Sequence, residues 1–353
     1  MKAFILQHYQ DYPQSELQDF FKFLYQGEFG PGHLITDPEK NFNYLQTEFE
    51  RLDNTPKEPI IDVLQLHLCR LHLQALSQTP LAITTLQRFF EISAKELQGT
   101  VTDYYKKIQT LRDLCVAGEL PFDPKAVDEF KTKIDENPTN PVHHSEAFRT
   151  AYQPAYRVVE KRFCDFLSLF AAIDQLMHEK EQLVVAIDGD CAAGKTTLSE
   201  LLSQVYDCNI VHMDHFFLRP EQRTKERLAM PGGNVDYERF REEVLAKVKM
   251  GESFAYRPFN CTSGEFDAPI SVSNKQLTIV EGSYSQHPEL VGEYDLKVFL
   301  TIPEEVQLER ILKRNGKVMC AKFKEMWIPM EKQYAEAFGI EAHSDLVFGY
   351  LGK

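Results

Sequence analysis

The stretch Leu183–Leu198 constrains this chain more than any other, because one short segment fixes a strand, a loop and a helix in that order. Leu183-Val184-Val185-Ala186-Ile187 is an apolar, partly β-branched run, as expected of a strand buried on both faces, and Leu198, Leu201 and Leu202 continue at helical spacing. Between them, Gly189-Asp190-Cys191-Ala192-Ala193-Gly194-Lys195-Thr196 fits the pattern G-x-x-x-x-G-K-[ST]. Each fixed position has a physical task. The glycines let the backbone turn tightly so that successive N–H groups point inward at phosphate oxygens. Lys195 is placed to reach the β- and γ-phosphates, the Thr196 hydroxyl to meet Mg²⁺, and Thr197 opens the helix whose N-terminal dipole favours the same negative charge.

Composition limits what can surround this loop. The chain has 353 residues, 43% hydrophobic and 26% charged, enough for a large core and about two domains. Its net charge of −14 argues against a general nucleic-acid-binding surface, leaving room for a small anionic ligand at a local cationic cluster. No segment has the length and apolarity of a membrane span and the N-terminus lacks the pattern of a signal peptide, so a cytoplasmic protein without a membrane partner is expected. Seven cysteines with no C-x-x-C pair argue against a disulfide framework and a zinc site. Cys191 lies inside the loop, where a helix N-terminus and cations could lower its thiol pKa; a small filler is the plainer reading.

Residues 1–180 read as a mainly α-helical domain of unknown role. Ser15-Glu16-Leu17-Gln18 matches a capping box, with Phe20, Phe21 and Leu24 on one face and Gly27 as C-cap. Further helices are expected over Asp62–Leu76, Leu86–Leu97 and Val101–Leu114, and a long buried one from the stripe Val159, Phe163, Phe166, Phe170, Ile173 and Met177. His67 and His72 are five apart, off the spacing that puts two ligands on one helical face, and read as structural. Glu28-Phe29-Gly30-Pro31-Gly32-His33 and the stretch His143–Arg157, with Arg149, Tyr152 and Tyr156, have the composition of a ligand site; a helix connector and ordinary aromatic packing stand beside that reading. The boundary is expected near Glu179–Gln182, giving domains 1–180 and 181–353.

After the loop, strands alternate with helices. Asn209–Met213 delivers Asp214 at its carboxyl end, Gln276–Val280 delivers Glu281, and Leu296–Thr301 and Leu346–Phe348 add two more strands, with helices over Tyr237–Lys249 and Pro303–Arg314. The expected product is α/β: a parallel sheet covered by helices on both faces.

Within this alternation His212-Met213-Asp214-His215-Phe216-Phe217, Gly233-Asn234-Val235-Asp236-Tyr237, Val280-Glu281-Gly282-Ser283-Tyr284 and Arg310-Ile311-Leu312-Lys313-Arg314 form a set. Their order and spacing resemble the uridine kinase, phosphoribulokinase and pantothenate kinase group of P-loop kinases, over about residues 182–350. The resemblance implies ATP and Mg²⁺ as cofactors and a small-molecule hydroxyl as acceptor. It implies that Asp214 is the base, that Glu281 attends the metal, that Asp236 with Tyr237 contacts substrate hydroxyls, and that Arg310 and Arg314 are lid arginines. Tyr256 fits the family's base-binding tyrosine; the histidine that follows it in nucleoside kinases is missing, and Arg257 beside it suits an acidic or phosphorylated acceptor equally. The residues themselves leave blander roles open: strand-end acids cap helices, and Arg310 and Arg314 fit a solvated helix face. Two functions follow, a uridine kinase-like small-molecule kinase or a nucleotide-switched ATPase whose helical domain binds a partner. Oligomeric state is not encoded in any of these motifs.

Overall fold

The computed structural model describes residues 1–31, 37–52, 59–65, 67–96 and 99–350, and the chain divides into two compact units, Met1–Ala172 and Ile173–Lys353. In the first unit, helices Lys2–Asp11, Leu17–Phe29, Val101–Val116 and Pro124–Ile134 bury Phe20, Phe21, Leu24, Tyr104, Ile108, Leu111 and Val127 in one core. A capping box starts the second of these helices, but on Glu16 and Asp19. The helix also runs past Gly27 to Phe29, where packing against Tyr25 and Tyr104 repays the extra turn, and Gly30 caps it.

The unit is not purely helical. β1 (Ile61–Gln65), β2 (Leu68–His72) and β3 (Tyr156–Glu160) form an antiparallel sheet in the order β1-β2-β3. The helix expected over Asp62–Leu76 is therefore a hairpin, and only Leu73–Leu76 is helical. The cause lies in β2, the central strand: Leu68, Cys69, Arg70 and Leu71 are all buried, and a strand covered on both faces gives a continuous run that a buried helix gives equally well. The long stripe from Val159 to Met177 is likewise broken. β-branched Val158 and Val159 pair in the sheet, a short helix Lys161–Asp165 follows, and Phe166 (φ −115°, ψ 22°) separates it from helix Leu167–Glu179. The helix expected over Leu86–Leu97 appears as Ile83–Glu96; Leu97 lies outside the described residues.

In the second unit, β4 (Leu183–Gly189) is buried at every position. β5 (Cys208–His212), two short antiparallel ribbons made by β6 (Phe254–Tyr256) with β9 (Ile270–Val272) and by β7 (Phe259–Asn260) with β8 (Glu265–Phe266), then β10 (Leu277–Glu281), β11 (Leu296–Leu300) and β12 (Leu346–Phe348) follow in the chain. The main sheet runs β12-β11-β4-β10-β5 with every pair parallel. Register brings Glu281 level with Ile187 on one side and His212 on the other, so the loop after β4, the acid ending β10 and the turn after β5 share the sheet's carboxyl edge. The expected helix over Tyr237–Lys249 is present with one wide π turn at Arg241–Leu245. No helix among the described residues is long and apolar enough to cross a membrane.

Candidate functional site

The loop between β4 and helix Lys195–Val205 is anchored at its start. A Cβ on Gly189 (φ 139°) would come within 2.1 Å of the Leu300 carbonyl oxygen, so only glycine lets the backbones of β4 and β11 approach this closely. Asp190 donates its N–H to Leu300 O (2.9 Å), and its carboxylate accepts from Thr301 Oγ1 (3.1 Å) and Ile302 N (3.0 Å). Ala192 (φ 62°) and Gly194 (φ 111°) both take left-handed backbone, the alternation that curls N–H groups toward one point. Lys195 is buried, its Nζ donating to Gly189 O (2.7 Å) and Asp190 O (2.9 Å). Thr196 and Thr197 are exposed at the helix start.

Glu281 is buried at the end of β10 and accepts from Thr196 Oγ1 at 3.2 Å. The same oxygen meets His212 Nδ1 at 2.5 Å, and that hydrogen bond, ahead of opposing desolvation, raises the His212 pKa. Thr196 and Glu281 thus come together as a hydroxyl–carboxylate pair. The donor set suits an octahedral ion that keeps waters and phosphate oxygens and needs only one or two protein ligands. It does not suit a protein-only cage: among the described residues no group of three or more His, Cys, Asp or Glu could hold a metal.

Asp214 follows β5 and makes no side-chain hydrogen bond among the described residues. Desolvation by the surrounding protein raises its carboxyl pKa above the ordinary value; Lys195 opposes the rise, and Glu281 and Glu331 add to it. Solvent reaches this side chain, so the shift is upward but smaller than full burial would impose. A nearby acid absent from the sequence reading is Asp188. Fully buried in β4, it accepts from the N–H groups of Gly189 (2.7 Å), Tyr284 (3.2 Å) and Gln286 (3.0 Å) and from Tyr334 Oη (2.9 Å), which ties the loop's parent strand to the turn after Glu281.

The residues expected to touch an acceptor have structural partners. Asp236 is buried and caps helix Tyr237–Phe240 through Arg239 N (3.1 Å), while its other oxygen accepts from Gln222 Nε2 (2.8 Å). Tyr237 lies between the Arg227 guanidinium, 4.1 Å from its ring, and the stacked ring of His287. Buried Tyr256 holds His215 Nδ1 with its hydroxyl (3.0 Å), next to Asp214 in the chain. Arg257 spends its guanidinium on the carbonyls of Asp267 (2.9 Å) and Phe266 (2.6 Å), within its own ribbon.

The helix expected over Pro303–Arg314 extends over Glu304–Lys322 and is interrupted at Gly316 (φ 77°, ψ 173°). A π turn at Phe323–Trp327 and helix Ile328–Phe338 follow. The two arms fold against each other: Ile311 and Ile328 form a small core with Leu308, Cys320 and Phe323, and Lys332 pairs with Glu304 (2.7 Å). Cys191 and Ala192 of the loop pack into that core. Burial, ahead of the nearby Glu331 carboxylate, pushes the Cys191 thiol up to about 12, so this cysteine is a packing group and not an activated thiol. Arg310 Nη1 donates to Ala192 O (2.9 Å), whereas Arg314 is exposed and bonds Asn315 (2.8 Å). Of the arginine pair, one touches the loop.

In the first unit, Glu28 pairs with Lys107 (2.6 Å), and His33 lies outside the described residues. His144 is buried between Asp19 (2.9 Å to Nδ1) and Tyr156 Oη (2.7 Å to Nε2), its pKa pushed down to about 4 mainly by desolvation. Buried Arg70 donates to Gln26 Oε1 (2.8 Å) over the Tyr156 ring. This network is internal and satisfied, as in a fold-specifying polar core.

No protein-family model matches the chain, and no curated protein matches its sequence. Among solved structures, it is similar to a possible uridine kinase from Bacillus stearothermophilus, with 19% identity and a TM-score of 0.36 over 51% of this chain and 99% of that one. It is also similar to a protein assigned as a fructose transport system kinase from a Silicibacter species (21% identity, TM-score 0.38, 47% of this chain and 89% of that one) and to a gluconokinase from Sinorhizobium meliloti (14%, 0.29, 48% and 82%). A glycine-rich G-x-x-x-x-G-K-[ST] loop at the carboxyl end of the central strand of a five-stranded parallel sheet flanked by helices gives the second unit a P-loop fold.

Proposed function

We propose that this chain is an ATP-dependent kinase that transfers the γ-phosphoryl group to a hydroxyl of a small metabolite, a nucleoside or similar compound. The observation that carries the proposal is the pairing of Thr196 with Glu281 at 3.2 Å near an acid, Asp214, that makes no side-chain hydrogen bond among the described residues. Phosphoryl transfer is mostly positioning and charge compensation, and these groups supply both.

The N–H groups of residues 191–196 receive the β- and γ-phosphates, the Cys191 N–H being given up by Glu331, and Lys195 turns from its carbonyl partners to the oxygens that gain charge. Thr196 and Glu281 would hold Mg²⁺, which would offset phosphate charge during transfer. Asp214 accepts the proton of the acceptor hydroxyl as the new O–P bond forms and the bond from Pγ to the β-bridging oxygen breaks, leaving ADP. Arg310 adds positive charge from the lid side. Cys191 and Ala192, packed into the lid hairpin, transmit hairpin position to the loop and limit water around the reacting groups.

ADP release over a panel of nucleosides, sugars, vitamins and other hydroxyl compounds tests this. A kinase gives acceptor-stimulated turnover with stoichiometric phosphorylated product. Lys195→Ala is expected to lower that turnover about 10²–10³-fold or more with unchanged circular dichroism. A slow, acceptor-independent rate across a broad panel rules the proposal out in favour of a nucleotide switch.

A further inference from the structure

Glu331 lies 140 residues beyond Cys191 in the chain, yet its Oε2 accepts the Cys191 backbone N–H at 3.0 Å. Its Oε1 accepts from Ser283 Oγ at 2.7 Å, two residues past Glu281. An N–H of the phosphate loop is therefore engaged by an anionic oxygen of the chain itself. The same hairpin holds the loop at neighbouring points, through Gln307 Nε2 to Cys191 O (3.0 Å) and Arg310 Nη1 to Ala192 O (2.9 Å).

The charge balance gives this contact a direction. Asp214 feels Glu281 and Glu331 as like charges and Lys195 and His212 as opposite ones, so Glu331 lies within electrostatic reach of the acids at this edge. A further anion brought to the Cys191 N–H meets the Glu331 carboxylate already there, and like charges at that distance repel. In the proposed reaction Glu281 would offset its charge by holding the metal with Thr196, and Asp214 by taking the acceptor proton. Glu331 has neither task; its carboxylate is spent on a loop N–H and a hydroxyl.

We infer that Glu331 is an internal anion that competes with the nucleotide's terminal phosphate for the loop, and so sets the protein's relative affinity for triphosphate and diphosphate. The γ-phosphoryl group brings charge close to this carboxylate, so its entry is opposed; a diphosphate lacks that group and meets less opposition. After transfer the same charge no longer faces a γ-phosphate, which narrows the gap between substrate and product binding. The inference rests on the reading of residues 189–196 as a nucleotide site.

The test is equilibrium titration of the full chain with a magnesium complex of a non-hydrolysable ATP analogue and with MgADP, for wild type, Glu331→Gln and Glu331→Ala. Glutamine keeps the shape and an acceptor for Cys191 N–H while removing the charge. The expected result is a fall of about threefold or more in the triphosphate dissociation constant, the scale for removing one like charge from a partly screened site. MgADP binding is expected to change less. A tether that merely shapes the loop gives the opposite sign, so equal or weaker triphosphate binding in both variants overturns the inference. Failure of both variants to fold also overturns it, since Glu331 would then be a structural tether. If wild type binds neither nucleotide, the failure is of the nucleotide-site reading itself, a result distinct from either of these.

Discussion

Three acids lie at the loop's edge, Asp214 within reach of the Lys195 charge, Glu281 on Thr196 and Glu331 on Cys191, and their partners separate them. Glu281 is fixed by Thr196 and His212, Glu331 by Cys191 and Ser283, and Asp214 by no side-chain hydrogen bond among the described residues. A carboxylate free of donors keeps its lone pairs for a substrate hydroxyl, and its raised pKa makes it a better proton acceptor than an ordinary aspartate. Turnover needs the ionised form, so kcat is expected to fall as pH drops through the raised pKa, at a higher pH than an unperturbed aspartate would give. Asp214→Asn should lower kcat by about 10²-fold or more, leave MgATP affinity nearly unchanged and remove that acid limb; a variant with wild-type kcat moves the proton acceptor elsewhere. The placement of the loop, Asp214 and Glu281 at strand ends was legible in the sequence because strand, loop and strand-end acid follow one another locally. Asp188, His212, Gln307 and Glu331 were not, since their meaning comes from partners far along the chain, Gln307 reaching back 116 residues and Glu331 140.

Elements show the same division. β4, β5, β10 and β11 are short β-branched or apolar runs that each end at a turn or an acid, and the sequence reading places them within a residue or two. β1 and β2 escape it because apolar residues at spacings of three and four fit a helix, and in β2 the two-residue alternation of a strand is hidden by burial on both faces. Arg70, buried in the central strand, adds a charged residue where a core strand would not be sought. The short helix Tyr237–Phe240 makes a sharper case. Its cap, Asp236, was expected at a substrate hydroxyl, yet both carboxylate oxygens are committed to Arg239 N and Gln222. Asp236→Ala should therefore cost about 1–2 kcal/mol in urea unfolding, combining a lost N-cap with a half-buried Gln222 amide left without its acceptor. If stability is unchanged while acceptor KM rises, the carboxylate serves the acceptor instead.

At the scale of the whole molecule, each of the two units, Met1–Ala172 and Ile173–Lys353, has a hydrophobic core of its own, and every residue of the proposed nucleotide site belongs to the second. A ligand stabilises only the cooperative unit whose native form binds it, by RT ln(1 + [L]/Kd), about 2.7 kcal/mol at a hundredfold excess over Kd. The all-internal hydrogen bonding of the Asp19–His144–Tyr156 network gives the first unit its own polar core, independent of that ligand. Differential scanning calorimetry is therefore expected to resolve two transitions, since chains of more than one domain depart from single two-state melting. Saturating MgATP should raise one transition by several degrees and leave the other in place. Limited proteolysis at temperatures between the two assigns them, with the fragment containing Lys195 protected by MgATP. A single transition that shifts as a whole on adding MgATP would mean that the two cores unfold as one cooperative body, and that the stability of the first is linked to the nucleotide site of the second.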